Sequence, residues 1–482
     1  MLDMRPVGYV VGLLVMALGL TMLAPMMVDI AEGREHWPVF AQSAILTVVV
    51  GGLMAMTCRT GVQAGLTIQQ TFLLTTGVWV VLPVFGALPF MLGDTDLRFV
   101  DATFEAMSGL TTTGSTVLSG LDTLPKGLLL WRGIMQWLGG VGIIVVAMVF
   151  LPELRVGGMQ IFKVEAFDTL GKILPRATEI AARISVIYLS LTLMCIICYI
   201  LTGMSIFDAT VHAMTTVSTG GLANSDNSFI RVSPAGQYIA VIFMILAALP
   251  FVRFVQMTAG TARPLLKDPQ VHGFLLTITA LTAVLCLWQF VQVATPSETA
   301  FRQVLFNTVS VITGTGFANA DYMGWGAFPI AMMFFIGLIG GCAGSTACSV
   351  KIFRYQLLFA SIRVQLRRIR SPHGIFVPRY AGRPVDDGTL SSVMSFFVFF
   401  IVTLGVLSVA LGMTGLDFVT SVSGAATALG NIGPGLGDTI GPAGNFATLN
   451  DPAKWLLTAG MLIGRLELLT VYAIFTINFW RA

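Results

Sequence analysis

Apolar residues run along this chain in blocks of roughly 20, the length a helix needs to cross the hydrocarbon of a bilayer. Such blocks fall near 7–29, 39–57, 70–93, 128–150, 183–203, 237–258, 271–293, 327–340, 390–413 and 455–478. The first two read as a hairpin. No small-residue cleavage site follows the first block in the usual way, so it is expected to be retained and not removed as a leader. The later blocks pair, and between the members of each pair lies a short segment that is neither span nor ordinary loop.

Four of these segments are versions of one pattern: Ser108-Gly-Leu-Thr-Thr-Thr-Gly114, Thr215-Thr-Val-Ser-Thr-Gly-Gly221, Ser310-Val-Ile-Thr-Gly-Thr-Gly316 and Thr427-Ala-Leu-Gly-Asn-Ile-Gly433. Their closing glycines lie roughly a hundred residues apart, the signature of a repeated module. Small residues and a final glycine after a short apolar stretch free backbone carbonyls from a helix and turn them toward a dehydrated cation. Non-helical backbone at membrane depth is tolerated only where protein buries it or water reaches it. Four such loops therefore predict a shared wet cavity. The helix before each loop aims the negative end of its dipole at that cavity, which favours cations.

The expected fold is an all-α polytopic membrane protein: an N-terminal two-helix hairpin plus four parallel span–pore loop–span repeats with pseudo-fourfold symmetry around one pore. The expected boundaries are 1–62 for the hairpin and 63–160, 175–265, 268–370 and 385–482 for modules one to four. Parallel repeats surround an axis along the membrane normal.

Composition agrees with this class. Of 482 residues 55% are hydrophobic and 11% charged, against about 25% charged in soluble domains. The net charge of +3 decides nothing, but its distribution does. Arg363, Arg367, Arg368, Arg370, Arg379 and Arg383 crowd one loop, and Arg155, Lys163, Lys172, Arg176 and Arg183 another, whereas the filter-side loops carry scattered charges such as Lys126, Arg231 and Lys454. The basic loops are expected to face the cytoplasm, with the N-terminus on that side. The 363–383 run reads equally as a headgroup-facing stretch or a docking surface. Cys58, Cys195, Cys198, Cys286, Cys342 and Cys348 mostly lie in apolar spans and read as packing residues.

The four loops, the motif Trp131-Arg132-Gly-Ile-Met-Gln136-Trp137-Leu-Gly139-Gly140-Val-Gly142, the stretch Gly340-Gly341-Cys-Ala-Gly344-Ser345-Thr346 and Asn431-Ile-Gly433-Pro434-Gly435 resemble the bacterial Trk potassium-uptake membrane subunit. The likeness is to the TrkH/TrkG type within the Trk/Ktr/HKT superfamily and covers essentially the whole chain. It implies potassium uptake across the bacterial inner membrane, a homodimer with one pore per protomer, and a cytoplasmic nucleotide-binding regulatory subunit of the TrkA kind. It implies no enzyme activity, no covalently bound cofactor and no nucleic-acid partner; K+ is the transported ion.

Potassium sheds its waters only if several oxygens replace them at once. Backbone carbonyls of Thr112, Thr113, Gly114, Thr219, Gly220, Gly221, Gly314, Thr315, Gly316, Asn431, Ile432 and Gly433 are the candidates. In the resembling superfamily a glycine closing every repeat goes with potassium selectivity, and a serine in the first repeat with sodium transport in some plant members. Here all four are glycine.

Residues 340–349 interrupt the second span of module three, with a helix expected to resume over 348–365. From the residues alone the interruption is a gate or a passive kink. The resemblance favours a gate formed by Gly340, Gly341, Gly344, Ser345 and Thr346, with Lys351 adding positive charge beyond it. Arg465 lies inside an apolar span, where a charge is expensive. It is expected either to oppose cations below the filter, as a matching arginine does in the resembling family, or to pair with a carboxylate such as Glu105. Asp101, Glu105, Asp208, His212 and Asn307 fall at or near pore-helix starts, and capping is the expected role for Asp101 and Asp208. His36, His272 and His373 sit at span edges or in loops without metal-ligand company.

Two functions from different classes remain: a gated pore, and a proton- or sodium-coupled symporter. The second needs an ionisable group near the midplane, and the candidates, Arg465, Arg132 and Arg253, are not acids. No span holds an arrangement suited to hydrolytic chemistry.

Overall fold

The computed structural model describes residues 3–61, 66–149, 177–293 and 297–481. Arg155, Lys163, Lys172 and Arg176 lie outside the described residues.

The hairpin consists of α1 (Arg5–Thr21), running through Met22 into α2 (Leu23–Ala31), and the returning α3 (Trp37–Cys58). Its two arms touch backbone to backbone. A Cβ on Gly12 would come within 2.6 Å of Ala55 N, and one on Gly51 within 2.6 Å of Met16 N. Without a hydrophobic drive between helices in lipid, such close approach of small residues supplies the packing energy.

Module one comprises α4 (Ile68–Gly86), the pore helix α5 (Phe99–Leu110) and α6 (Lys126–Val149). Module two comprises α7 (Ala177–Leu201), the pore helix α8 (Ile206–Val217), and a second span broken into α9 (Pro234–Ala247) and α10 (Phe251–Thr258). In module three α11 (Pro269–Val293) leads to the pore helix α12 (Glu298–Ile312), then α13 (Ala327–Ile339) and α14 (Ile352–Arg370). Module four has α15 (Asp387–Met413), the pore helix α16 (Phe418–Gly430), α17 (Asp451–Arg465) and α18 (Leu468–Ile474). A two-stranded antiparallel ribbon, β1 (Arg379–Tyr380) with β2 (Arg383–Pro384), joins modules three and four.

The second span of module one lies inward, and the first spans of modules three and four lie outward. Of the span within α6, 72% of residues are buried, against 28% in α11 and in α15. Much of α11 and α15 is thus left on the outer surface, while α6 is enclosed.

Three second spans are broken, where the sequence signalled one. The blocks at 237–258 and 455–478, expected as continuous spans, bend by 88° between α9 and α10 and by 108° between α17 and α18. Pro250 accounts for the first: it has no N–H to donate, and it stands as the N-cap of α10. The second occurs where Glu467 takes φ 59°, without a proline or glycine between the two helices. In module three the helix resumes at Ile352 and not at 348, because Ser349 and Lys351 adopt φ 62° and 68°, outside any helix.

Asp29, at the turn of the hairpin, is fully buried. It takes His36 Nδ1 at 3.0 Å and the N–H of Gly127, in the first turn of α6, at 2.7 Å. His36 is therefore the buried partner of a carboxylate that keys the hairpin to module one, a role its position at a span edge did not reveal.

Candidate ion pathway

Each pore helix ends in the same way. The N–H of Thr113, Gly220, Thr315 and Ile432 reaches back to the carbonyl of Ser108, Thr215, Ser310 and Thr427, at 2.9, 2.9, 2.9 and 3.0 Å. The N–H one residue earlier, on Thr112, Thr219, Gly314 and Asn431, reaches Gly109, Thr216, Val311 and Ala428 at 3.0, 3.0, 3.1 and 3.4 Å. This pair of bonds is the Schellman termination, which needs a left-handed residue just past the helix. The φ values there are 53°, 51°, 76° and 48°. A β-branched residue is poorly suited to that region, yet Thr112 and Thr219 occupy it, at a cost of about 1–3 kcal/mol each.

The strands that follow meet in order around a ring. A Cβ on Gly114 would overlap the carbonyl oxygen of Gly220, and one on Gly221 that of Thr315. A Cβ on Gly316 would lie 2.7 Å from Gly433 N, and one on Gly433 3.2 Å from Gly114 O. Modules one, two, three and four thus contact in sequence and close on module one. Gly114, Gly221 and Gly316 also have φ of 86°, 76° and 83°, a region that favours glycine. The same four glycines line a cavity of about 620 Å³, together with Ser115, Leu222, Asp226 and Asp438.

Buried polar braces hold the strands from behind. Glu105, wholly buried on α5, accepts from Thr116 Oγ1, from Val117 N at 3.0 Å and from Arg132 Nε at 2.8 Å. Arg132 Nη1 donates to Ala223 O of module two at 2.9 Å, so one guanidinium ties two modules. One turn later Gln136 bonds to Gly220 and Leu222. The second span of module two repeats the device: Gln237 Oε1 accepts from Asn319 Nδ2 at 2.9 Å, and Asn319 Oδ1 from Asn307 Nδ2 at 2.7 Å. Asn431 Nδ2 donates to Thr113 Oγ1 at 3.0 Å and to Met461 O, and Ser115 Oγ to Gly433 O at 2.8 Å, joining modules four and one. Glu105, His212, Asn307 and Gly424 occupy the same position, nine residues before each closing glycine, with four different chemistries.

Neither expected acidic cap is an N-cap. Asp101 receives Lys454 Nζ at 2.6 Å and Arg98 Nε at 3.0 Å, bridging modules one and four. Lys454, read as a scattered loop charge, is buried. Ser205 caps α8, and Asp208 at its third position accepts from Ser205 and from Asn224. Outside the spans, the Arg302 hydrogen bond holds the Glu298 carboxyl below its usual range.

Beneath the ring lies the segment between α13 and α14. Gly340 and Gly344 have φ of 77° and 72°, and residues 340–348 are buried. Cys348 N stands 3.7 Å from where a Cβ on Gly314 would be, which places the segment directly against the third strand. The break in module two grips it. Ala248 O accepts from Cys342 N at 3.0 Å, Ala247 O from Thr346 Oγ1 at 3.0 Å, and Phe251 N donates to Gly344 O at 2.9 Å. Carbonyls released where α9 ends thus bind the N–H groups and hydroxyl of the neighbouring module's loop.

Arg465 does not pair with Glu105, whose oxygens are already taken. Its Nη2 donates to Gly139 O of module one at 3.0 Å, and Nη1 approaches Thr346 O at 3.4 Å and Cys348 Sγ. A side chain from module four therefore reaches modules one and three below the ring. Lys351 lies 3.4 Å from Glu467, which also takes a short bond from Arg354. The positive charge beyond the loop is accordingly compensated. Sequence reading gave Glu467, Arg354 and Gln136 no role; Glu467 and Gln136 are polar side chains inside apolar stretches, whereas Arg354 carries no such signal.

Among the described residues no cluster of His, Cys, Asp and Glu could hold a metal ion. Comparison with known proteins gives one consistent result. The family described as "TrkH: Cation transport protein" matches residues 36–480. Trk system potassium uptake protein TrkI of Halomonas elongata is 44% identical over 478 residues, spanning 99% of this chain and 97% of its own. Trk system potassium uptake protein TrkH of Escherichia coli is 34% identical, spanning 99% of both chains. The crystal structure of the potassium transporter TrkH from Vibrio parahaemolyticus superposes with a TM-score of 0.91 at 34% identity, over 100% of both chains.

Proposed function

This chain belongs to the TrkH family of cation transport proteins, and on that premise we propose that it takes up potassium through the ring built by Thr112–Gly114, Thr219–Gly221, Gly314–Gly316 and Asn431–Gly433. The observation that carries the reading is the fourfold one: four identically terminated pore helices deliver four strands whose closing glycines abut in order beside one cavity. A potassium ion entering from that cavity exchanges water for backbone oxygens, and four helix C-termini favour its positive charge.

Gly340, Gly341, Gly344, Ser345 and Thr346 form the gate in this reading, with Arg465 as its latch. In the arrangement described, Arg465 holds a positive charge across the path by its bonds to Gly139 and the loop. Conduction requires those bonds to break and the loop to withdraw from the break between α9 and α10. Lys351 contributes through its pairing with Glu467, anchoring the loop's end to module four. Family kinship supports a homodimer in the bacterial inner membrane, its N-terminus and basic loops cytoplasmic, working with a TrkA-like nucleotide-binding regulatory subunit. The module boundaries 63–160, 175–265, 268–370 and 385–482 follow from the same assignment.

Tracer flux of rubidium into liposomes holding the purified chain tests this, with potassium, rubidium, sodium and lithium as competitors and Gly114→Ser alongside. Uptake blocked by potassium and rubidium, poorly by sodium, and altered by the substitution supports the ring as the filter. Uptake that follows a proton or sodium gradient, and ignores the substitution, replaces the pore with a coupled carrier.

A further inference from the structure

Gln136 is wholly buried on α6, one turn after Arg132, and both ends of its amide are spent on the second strand. Its Nε2 donates to Gly220 O at 2.6 Å, and its Oε1 accepts from Leu222 N at 3.1 Å. The two bonds grip the backbone on either side of Gly221, the residue whose Cα abuts Thr315 O of the next strand. The fourth strand is held at its closing residue instead, where Ser115 Oγ donates to Gly433 O at 2.8 Å. Among the described residues no hydrogen bond reaches the carbonyl oxygens of Thr113, Thr315 or Ile432, the equivalents of Gly220.

The amide also explains the residue it holds. The middle positions of the four strands are Thr113, Gly220, Thr315 and Ile432. A Cβ on Gly220 would overlap the Gln136 amide. Module two therefore lacks a side chain at this position because a side chain from module one fills its place. Thr113 and Thr315 brace their own strands through Thr111 and Thr313, hydroxyl to hydroxyl at 2.7 and 2.8 Å. Gly220 can do nothing of the kind and would be the least constrained of the four peptides.

We infer that Gln136 is a positioning residue for cation selectivity: by fixing the Gly220 carbonyl it sets the distance at which the second strand offers oxygen to the ion. This rests on the ring being the selectivity filter. Discrimination between potassium and sodium depends on the number and placement of carbonyl oxygens, so a peptide free to rotate costs discrimination before it costs flux.

Two substitutions separate the two bonds. Gln136→Glu keeps an acceptor for Leu222 and, once ionised, loses the donor to Gly220, so it is assayed at alkaline pH, where the carboxyl gives up the proton that would otherwise replace the amide donor; Gln136→Met loses both at similar volume. The full-length chain in liposomes is assayed for rubidium uptake against sodium competition, with Gly114→Ser in parallel. As a second measurement on whatever folded protein each variant yields, the rise in melting temperature with potassium is compared with that with sodium, since binding to the folded state alone raises it. Both variants are expected to lose about three- to tenfold in rubidium-over-sodium discrimination, the range set by one hydrogen bond, with the potassium-specific rise in melting temperature reduced. Wild-type discrimination in both variants while Gly114→Ser loses it overturns the inference and leaves the filter standing. A loss in Gln136→Met alone overturns it as well, assigning the effect to Leu222. Wild-type behaviour in all three removes the filter and the inference together.

Discussion

Arg465 and Gly139 meet below the ring: a guanidinium from module four donates to a backbone carbonyl of module one at 3.0 Å. A Cβ on Gly139 would overlap Leu110 O, so α6 and the end of the first pore helix are in direct backbone contact. The same contact recurs in module four, where a Cβ on Gly464 would overlap Leu429 O. At the end of the first pore helix this close packing sits beside the carbonyl that Arg465 holds.

Arg465→Ala is expected to raise resting cation flux several-fold in liposomes, because the charge across the path is removed together with the tie to Thr346. A folded variant with unchanged flux would take Arg465 out of the gate.

Gly114→Ser places a Cβ against Gly220 O at a backbone angle of φ 86°. Relief requires the first and second strands to part. We expect rubidium-over-sodium discrimination to fall about tenfold, equivalent to about 1.4 kcal/mol, as read by competition in the flux assay.

Breaking the brace between Glu105 and Arg132 leaves a buried charge without its partner. Glu105→Leu or Arg132→Met alone should destabilise the protein by about 3–5 kcal/mol, and the two combined by less than the sum of the two single changes. Thermal unfolding in detergent measures both; strictly additive losses would show that the pair is not coupled.

Gly12→Leu forces the hairpin arms apart, since Ala55 and Gly51 backbone atoms occupy the space a side chain needs. Lower thermal stability with unaltered ion discrimination is the expected outcome, because the atoms nearest a side chain at Gly12 all belong to the hairpin itself. A changed rubidium-to-sodium ratio in this variant would contradict that separation.

The repeat, the hairpin and the ring strands were legible in the sequence because each rests on local composition: apolar length for the spans, and small residues closing in glycine for the strands. The interruption in module three was legible for the same reason, carrying glycines at 340, 341 and 344. What escaped were features made by pairs of distant residues. The bend after Arg465 has no glycine or proline between its two helices to announce it; Glu467 is held by Lys351 and Arg354 from another module. Pro250 did announce the bend after Ala247, yet a proline inside an apolar block is common enough in membrane helices to pass as a kink. Asp101 looks like a cap from its place near a helix start, and only the fold brings Lys454 to it.

Four unlike walls around one axis have a consequence for how such a pore changes. In an assembly of four identical subunits, one altered residue appears four times, and about 1 kcal/mol of harm at independent sites becomes about 4. Here the quarters are joined in one chain, and Glu105, His212, Asn307 and Gly424 have taken separate chemistries at one equivalent position. Each wall can drift alone, in steps a quarter as large, so selectivity in this architecture is adjustable by increments that a symmetric channel cannot take.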